Sequence, residues 1–343
     1  MKKNLPKVLI RSVNWLGDAV MSLPAIFEIK RLFPEYQLIM YTPSHLKDIY
    51  KFLPFETDII EFEKPRNSKG YFQELSKIKY IKNSNFELSF IFPLSIHSAL
   101  IPFLAGIPVR IGYKRNIRSI FLTHSFNQRS NFKTEKHQSF YYLDLVSQFT
   151  KKEAKFTIPQ LNIPDAEKQN ILKKLEEKGF KNTYIVGIAP GAEYGPAKRW
   201  PLKHWHLLIS HILHNTNFTI VITGTIKEKN AATFLKGKEK NRIIDLTGEL
   251  SLKEFLAFLS LCTAFISNDS GAMHAASICG AKTIGIFGST SPAATSPIGK
   301  RKTIIYKNYE CSPCFQRKCP FNHYKCLEEI TPKEVFETLT NIL

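Results

Sequence analysis

One stretch of the sequence constrains the fold more than any other, and it runs from Ala264 to Gly280. Ala264–Ser267 is a short apolar run typical of buried parallel strands, and Ala272–Cys279 is a strong helix former that ends at a glycine. Lys282–Phe287 is a second apolar run. Because the connection between the two strands is a single short helix, we expect the strands to be parallel. The stretch therefore predicts a β-α-β unit.

The turn of this unit, Asn268-Asp269-Ser270-Gly271, is suited to a phosphate group. Free backbone N–H groups and about half a positive charge from the helix dipole lie at a helix N-terminus. Gly271 has no Cβ, so a bulky anion can approach the backbone at that point. The turn therefore predicts an anion site at the carboxyl edge of the sheet.

A purely structural interpretation of the same turn also stands. Asp269 or Ser270 could simply cap the helix, and His274 could be a half-buried histidine whose hydrogen bonds are satisfied. Against this, a second hydroxyl-rich turn, Phe287–Pro292, follows the next strand. Two such turns at adjacent strand ends favour an anion site.

The rest of the chain alternates strands and helices in two similar halves. The polar segment Lys151–Pro164 is the candidate linker, so we predict two doubly wound α/β domains, 1–160 and 161–330. An amphipathic helix at 331–343 completes the chain. We expect Asn116–Lys136, which is basic and carries Arg118 and Arg129, to form solvated surface loops.

Charge and cysteine usage restrict the partners and the compartment. The 48 Lys and Arg residues outnumber the 29 acids, for a net charge of +19. This balance suggests an anionic partner, which could be a nucleic acid, a membrane surface or a phosphorylated substrate. Six cysteines are too few for a secreted disulfide scaffold, and no signal-peptide pattern is evident, so we expect a cytoplasmic protein. Leu88–Val109 contains prolines and a glycine that argue against a membrane span.

The first strand, Lys7–Ser12, leads into a turn that contains Gly17 and Asp18. Asp18 could be an ordinary cap of the following helix. The alternative is a carboxylate presented at the carboxyl edge of the sheet, where α/β enzymes place their chemistry.

The first strand of the second half is followed by a structured loop, Ala189–Pro201, with two glycines and three prolines. Lys198 and Arg199 lie just before the next helix. Taken alone, this pair could be surface charge. At the same sheet edge as Asp269, the two cations could clamp a diphosphate.

These motifs together resemble the signatures of the ADP-heptose:lipopolysaccharide heptosyltransferases, glycosyltransferase family 9. The resemblance rests on Asn14-Trp15-Leu16-Gly17-Asp18, on the loop Pro190–Pro201, and on Asn268-Asp269-Ser270-Gly271-x-x-His274. The loop is similar to the heptosyltransferase II branch. The resemblance spans essentially the whole chain.

The resemblance implies a GT-B fold, in which two Rossmann-like domains face each other across a cleft. Residues 1–160 would bind the acceptor and residues 161–330 the nucleotide-sugar. It also implies an inverting transfer of L-glycero-D-manno-heptose from ADP-heptose, without a cofactor or a catalytic metal. The acceptor would be heptosyl-Kdo2-lipid A, modified on its first heptose. The enzyme would work at the inner face of the inner membrane, where its basic surface suits anionic lipids.

By the same resemblance, Asp18 would be the general base and Lys198 would neutralise the leaving diphosphate. The residues that would hold the nucleotide are Lys198, Glu228, Asp269, Ser270, Gly271 and His274. Sugar transfer builds negative charge on the leaving ADP, so fixed donors and a cation serve that step. A carboxylate that accepts the acceptor's proton completes the reaction.

Four cysteines near the C-terminus form a further cluster, Cys311-x2-Cys314-x4-Cys319-x6-Cys326. Four thiols suit zinc, but this spacing is not a usual zinc pattern. We expect no metal, and we keep a structural zinc site as the alternative to reduced thiols in a compact loop.

Two other function classes remain open. One is a nucleic-acid-binding protein, which the charge alone suggests and which lacks a recognisable binding motif. The other is a different ADP- or UDP-sugar transferase or epimerase of the same fold. A dehydrogenase is disfavoured, because no Gly-x-Gly-x-x-Gly follows the first strand.

Overall fold

The computed structural model describes residues 5–63, 68–129, 136–181, 184–237 and 241–343. The chain divides into two compact units, one ending at Leu161 and the other beginning at Asn162. This division falls within the predicted linker, Lys151–Pro164.

The first unit is a parallel sheet with helices between its strands. The strands are β1 Lys7–Arg11, β2 Gln37–Pro43, β3 Asp58–Phe62, β4 Phe86–Ile91, β5 Val109–Tyr113 and β6 His124–Phe126. The helices are α1 Leu16–Leu32, α2 Lys47–Lys51, α3 Ser68–Lys82, α4 Ile96–Leu104 and α5 Gln138–Thr150, with 3-10 helices at Ser44–Leu46 and Asn116–Phe121. The strand order is β3-β2-β1-β4-β5-β6.

The second unit has the same plan. Its strands are β7 Ile185–Ala189, β8 Thr219–Ile222, β9 Ile243–Asp245, β10 Ala264–Asn268, β11 Lys282–Phe287 and β12 Lys302–Tyr306. Its helices are α6 Asp165–Glu177, α7 Leu202–Asn215, α8 Lys229–Lys236, α9 Leu252–Leu261, α10 Gly271–Cys279, α11 Pro292–Thr295, α12 Lys325–Glu328 and α13 Pro332–Ile342, with 3-10 helices at Pro196–Lys198 and Ile226–Glu228. The strand order is β12-β11-β10-β7-β8-β9.

Central strands are buried on both faces, as expected of a parallel sheet covered by helices. In β1, Val8, Leu9 and Ile10 are all fully buried. In the second unit, β7 pairs with β10 through Val186 and Ala264, which belong to the main apolar core of that unit. The predicted parallel β-α-β unit is confirmed, because β10 and β11 are parallel neighbours in register.

The topology places ligand sites at two equivalent points. In the first sheet the strand order reverses between the neighbours β1 and β4. In the second sheet it reverses between the neighbours β7 and β10. Open parallel sheets bind ligands at the carboxyl ends of such strands, because the connecting loops diverge there and leave a crevice. The segments that follow β1, β7 and β10 carry Asp18, Lys198 and Asp269.

The basic segment Asn116–Lys136 was predicted wrongly as surface loops. It contains a 3-10 helix and strand β6, while residues 130–135 lie outside the described part of the chain. Arg118 is fully buried and donates to the carbonyl oxygens of Tyr113 and, at 2.9 Å, of Pro93. Burial lowers the pKa of Arg118 to about 10. Unpaired carbonyls at the strand ends draw this guanidinium inward. Arg129 is exposed, as predicted.

The apolar segment Leu88–Val109 forms β4, α4 and the start of β5. Among the described residues, no helix is both long enough and apolar enough to cross a bilayer.

Candidate active site

The conformation of the loop after β7 depends on a glycine and a buried tryptophan. Gly195 has φ +150, and a Cβ there would lie 2.5 Å from the carbonyl oxygen of Arg317, so no other residue fits without a shift. The 3-10 helix Pro196–Lys198 follows directly. The buried Trp200 anchors the loop's end by donating its indole N–H to Ile330 O at 2.9 Å. This loop therefore has a fixed course before any ligand binds.

Asn268, the last residue of β10, fastens this loop to the neighbouring strand. Its Oδ1 accepts a hydrogen bond from Trp200 N at 3.0 Å, and its Nδ2 donates to Pro190 O at 2.7 Å. Asn268 itself is fully buried. The side chain thus satisfies backbone groups at both ends of the loop and holds Lys198 opposite the turn after β10.

Lys198 and Asp269 form a largely buried ion pair at this edge. Lys198 Nζ lies 2.5 Å from Asp269 Oδ2, and the exposed fractions of the two side chains are 12% and 3%. Thr290, in the turn after β11, donates to the same carboxylate oxygen at 2.6 Å, and Thr295 donates to it at 3.4 Å. The ammonium group also lies 4.8 Å from the ring centroid of Tyr194, where a cation is attracted to the ring face. The sequence prediction that these loops converge is confirmed.

The helix after β10 begins at Gly271 with Ser270 as its N-cap. The Ser270 side chain does not cap the helix and instead hydrogen-bonds Ser267 Oγ at 2.9 Å. The backbone N–H groups of the first turn are therefore not taken by the usual capping oxygen. His274 lies on the same helix with only 2% of its surface exposed. Roles for Ser270, Gly271 and His274 in nucleotide binding stay predictions.

Glu228 reaches the same edge from the loop after β8. Its Oε2 accepts hydrogen bonds from the backbone N–H and the hydroxyl of Thr225, which forms a capping box. A Cβ at Gly191 would lie 2.7 Å from Glu228 Cγ, so the glycine makes room for this carboxylate beside the Lys198 loop. The structure therefore brings Glu228 close to the loop, and its contact with a nucleoside stays a prediction.

The four C-terminal cysteines lie next to the Lys198 loop. Cys311, Cys314, Cys319 and Cys326 line a cavity of about 20 Å³ together with Ala197. Burial acts against ionisation of Cys319, but N–H groups of residues 321–324 outweigh it and lower the pKa of that thiol. Burial raises the pKa of Cys326 to about 11. No group of three metal-ligand side chains within the described ranges is arranged to hold a metal ion.

In the first unit, Asp18 is the third residue of α1, whose N-cap is Trp15. Because Leu16 and Gly17 are already helical, Asp18 lies in the first turn of α1 and is not its cap. Asp18 lines a cavity of about 750 Å³ at the carboxyl ends of β1 and β4. Tyr142 is buried beside it, and burial together with the Asp18 charge raises the pKa of the Tyr142 hydroxyl.

The cavity around Asp18 has polar and aromatic walls suited to a sugar. Side chains that could hydrogen-bond hydroxyl or anionic groups are Asn14, Lys114, Arg115, Asn127, Gln128 and Gln138. The exposed Trp15 and the ring of Tyr141 complete the wall. Amide and hydroxyl groups orient polyols, and aromatic faces cover their C–H surfaces.

Sequence reasoning missed several of these residues. Thr290 lies in a turn whose hydroxyl content was noted, so a signal existed. Thr295 follows on the next short helix, 26 residues from Asp269 in sequence, and nothing local indicates their contact. Lys114 and Arg115 were part of a general excess of positive charge, and only the fold places them near Asp18.

Comparison with known proteins identifies the family. The model of glycosyltransferase family 9 (heptosyltransferase) matches residues 75–325, which is most of the chain. The chain belongs to glycosyltransferase family 9. Among curated family 9 relatives, lipooligosaccharide heptosyltransferase 2 of Campylobacter jejuni is 29% identical over 98% of both chains.

Solved structures show the fold. The E. coli ADP-heptose lps heptosyltransferase II superposes with a TM-score of 0.83 at 22% identity over 98% of both chains. E. coli heptosyltransferase WaaC with ADP-2-deoxy-2-fluoro heptose superposes with a TM-score of 0.71 at 17% identity over 98% of this chain and 100% of that one. The family 9 chain therefore has the GT-B fold, with two Rossmann-like units.

Proposed function

We propose that this family 9 enzyme transfers L-glycero-D-manno-heptose from ADP-heptose to the first heptose of the lipopolysaccharide inner core, with inversion. The observation that carries the proposal is the buried Lys198–Asp269 pair at the strand-order reversal of the second unit. A fixed cation beside a helix N-terminus is what a leaving diphosphate requires. The names of relatives that match over 98% of their length supply heptose as the sugar and lipooligosaccharide as the class of acceptor.

Lys198 would bind the diphosphate, and Asp269 would position Lys198. A carboxylate repels phosphate oxygens, so Asp269 is unsuited to contact them directly. Its Oδ2 already accepts from Lys198 and Thr290, which fixes the ammonium group before the nucleotide arrives. An ammonium has three donors, so Lys198 keeps others for the diphosphate. Ser270 and Gly271 would add backbone donors from the start of α10. His274 lies about one turn further along the same helix.

Asp18 would act as the general base. A helix first turn favours an ionised carboxylate, and Asp18 occupies that position in α1. In the proposed step, Asp18 takes the proton of the acceptor hydroxyl while the hydroxyl oxygen attacks C1 of the heptose. The C1–O bond to ADP breaks, and ADP leaves with the electron pair on the face opposite the attack. One displacement gives inversion, and no cofactor enters the balance.

We further propose that the enzyme is cytoplasmic and acts at the inner face of the inner membrane without a catalytic metal. The acceptor, heptosyl-Kdo2-lipid A, is held in a membrane, so the enzyme must reach a bilayer surface. The net charge of +19 favours contact with anionic lipids. Glu228, at the edge beside Gly191, would hold nucleoside hydroxyls of the donor.

The deciding experiment measures turnover of ADP-heptose with acceptors that carry zero, one or two heptoses. Activity only on the one-heptose acceptor is expected. Activity on the acceptor without heptose would instead assign a different heptosyltransferase step. Calorimetric titration with ADP, UDP and duplex DNA checks the other classes: preference for UDP would indicate another sugar transferase or an epimerase, and tight binding of DNA would indicate a nucleic-acid-binding protein.

A further inference from the structure

Helix α4 of the first unit is apolar on the side that faces solvent as well as on the side that faces the core. Its buried face packs through Ala99 against Ile91 and Leu122. On its outer face, Ile96, Phe103 and Leu104 are exposed, at positions i, i+7 and i+8 of the helix. This spacing puts them on one stripe. A helix of an ordinary soluble surface carries charged side chains on that stripe.

The neighbouring 3-10 helix, Asn116–Phe121, carries two further exposed apolar side chains. Ile117 and Ile120 are 60% and 64% exposed, and a spacing of three residues places them on the same side of a 3-10 helix. The two helices touch, with the rings of Phe103 and Phe121 at 5.3 Å between centroids. We call the five residues Ile96, Phe103, Leu104, Ile117 and Ile120 the apolar surface.

Cationic side chains lie beside the apolar surface. From Leu88 through Arg129 the sequence has no Asp or Glu and five Lys and Arg residues, of which Arg118 is buried. The Arg110 guanidinium lies 5.3 Å from the centroid of the Phe103 ring, and Lys114 and Arg115 are exposed. Glu74 of α3 approaches α4, but its side chain is only 11% exposed, and its Oε1 lies 2.7 Å from His97 Nε2. Exposed apolar side chains within a cationic rim are typical of surfaces that enter the boundary of an anionic bilayer.

The apolar surface adjoins the cavity that holds Asp18. Leu94 leads into α4, and Lys114 and Arg115 lead into the 3-10 helix, and all three line that cavity. A lipid-linked sugar held in a bilayer against the apolar surface would therefore reach Asp18 over a short distance.

We propose that the apolar surface docks the first unit onto an anionic lipid bilayer. This inference rests on the proposed function, because a lipid-linked acceptor requires contact with a bilayer. The geometry of the apolar surface does not depend on which sugar is transferred. The aliphatic and aromatic side chains enter the boundary between headgroups and acyl chains, and Arg110, Lys114 and Arg115 lie at the level of the anionic headgroups.

The test is flotation of the full-length protein with vesicles made of equal parts phosphatidylglycerol and phosphatidylcholine, beside vesicles of phosphatidylcholine alone. The variant is Ile117→Ser with Ile120→Ser. Its matched control is Leu207→Ser with Phe234→Ser, two exposed apolar residues on helices of the second unit. Melting temperatures confirm that both variants fold.

The wild-type protein and the control should bind the anionic vesicles, while the Ile117/Ile120 variant should bind about tenfold more weakly for each isoleucine removed. Equal binding by the variant and the wild type would overturn the inference, as would equal affinity of the wild type for both vesicle types. A wild-type dimer that becomes monomeric in the variant would assign the surface to a second copy of the chain and would also overturn it.

Transfer to a delipidated acceptor separates this inference from the proposed function. The Ile117/Ile120 variant should keep its turnover on that soluble acceptor, since neither isoleucine lines the Asp18 cavity. Absence of heptosyl transfer by the wild type, with vesicle binding lost only in the variant, would refute the proposed function and leave the docking surface standing.

Discussion

Lys198 Nζ lies 2.5 Å from Asp269 Oδ2, and this contact joins the loop after β7 to the turn after β10. The two residues are 71 positions apart in sequence, so the contact exists only because β7 and β10 are neighbours in the sheet. It places a cation at the strand-order reversal of the second unit. The first two predictions concern this pair.

Lys198→Ala should weaken ADP-heptose binding and lower turnover together. A cation in a poorly hydrated site is worth more to a bound diphosphate than the surface value of about 1 kcal/mol. The measurement is steady-state kinetics over a range of ADP-heptose concentrations, with melting temperatures because the change leaves Asp269 uncompensated. Lys203→Ala removes an exposed lysine as the matched control. Wild-type kinetics in Lys198→Ala would mean that this lysine has no role at the diphosphate.

Asp269→Asn should lower the stability of the ligand-free protein but increase the stabilisation that ADP provides. Losing one partner of a buried ion pair costs up to about 3–5 kcal/mol. The diphosphate then supplies the missing negative charge to Lys198, free of repulsion from the carboxylate. Thermal melts with and without ADP measure both effects, and Asp165→Asn, which removes the carboxylate of an exposed ion pair in the same unit, is the control. A smaller ADP effect than in the wild type would show that Asp269 itself helps to bind the nucleotide.

The central part of the fold was predictable because its strands are short, apolar and bounded by turns. The strands β1, β10 and β11 and the helix α10 fall close to their predicted positions. Strand β6 was missed because it has only three residues, His124–Phe126, and lies at the sheet edge. Strand β12, Lys302–Tyr306, also lies at a sheet edge and was not predicted.

Long-range polar contacts account for most of what the sequence did not reveal. Arg118 looked like surface charge, since a basic segment is usually solvated. Its burial depends on carbonyl oxygens of Tyr113 and Pro93 that only the folded sheet brings together. Trp15 as the N-cap of α1 was equally unexpected, because a tryptophan lacks a capping oxygen. The local motifs at Asp18, Lys198 and Asp269 were visible, but the hydrogen bonds from Thr290 and Thr295 to Asp269 were not.

Cys319 should be alkylated at lower pH than Cys326. Backbone N–H groups lower the pKa of Cys319 despite some burial, whereas burial raises the pKa of Cys326 to about 11. Since the thiolate is the reactive form, Cys319 should reach its half-maximal rate at the lower pH. Peptide mapping after brief iodoacetamide treatment at a series of pH values gives the two profiles. Coincident profiles, or a reversed order, would contradict the assigned environments of these thiols.

Heptosyl transfer should continue in EDTA. In the proposed site Lys198 and the start of α10 provide the positive charge that a divalent cation would otherwise supply to the diphosphate. Turnover is measured before and after chelation, and again after magnesium or manganese is added. Activity lost on chelation and restored by either ion would refute the metal-free mechanism. A lower melting temperature with unchanged turnover would instead indicate a structural metal at Cys311, Cys314, Cys319 and Cys326.

Asp18→Asn should separate catalysis from binding. The substitution keeps the size of the side chain and its place in the first turn of α1, so the melting temperature should change little. ADP binding should also remain near normal, because the proposed nucleotide residues all belong to the second unit. An amide cannot accept the acceptor's proton, and removal of a general base costs about 10²–10⁴ in rate.

The measurement combines turnover at saturating acceptor, ADP titration and thermal melting on the same preparation. Asp48→Asn, in α2 of the same unit, is the matched control, since it removes a first-turn carboxylate that does not line the cavity around Asp18. Turnover of Asp18→Asn should fall by at least about two orders of magnitude, while the control stays at the wild-type rate. If Asp18→Asn keeps the wild-type rate, Asp18 serves only the helix N-terminus, and the base must be sought elsewhere in that cavity.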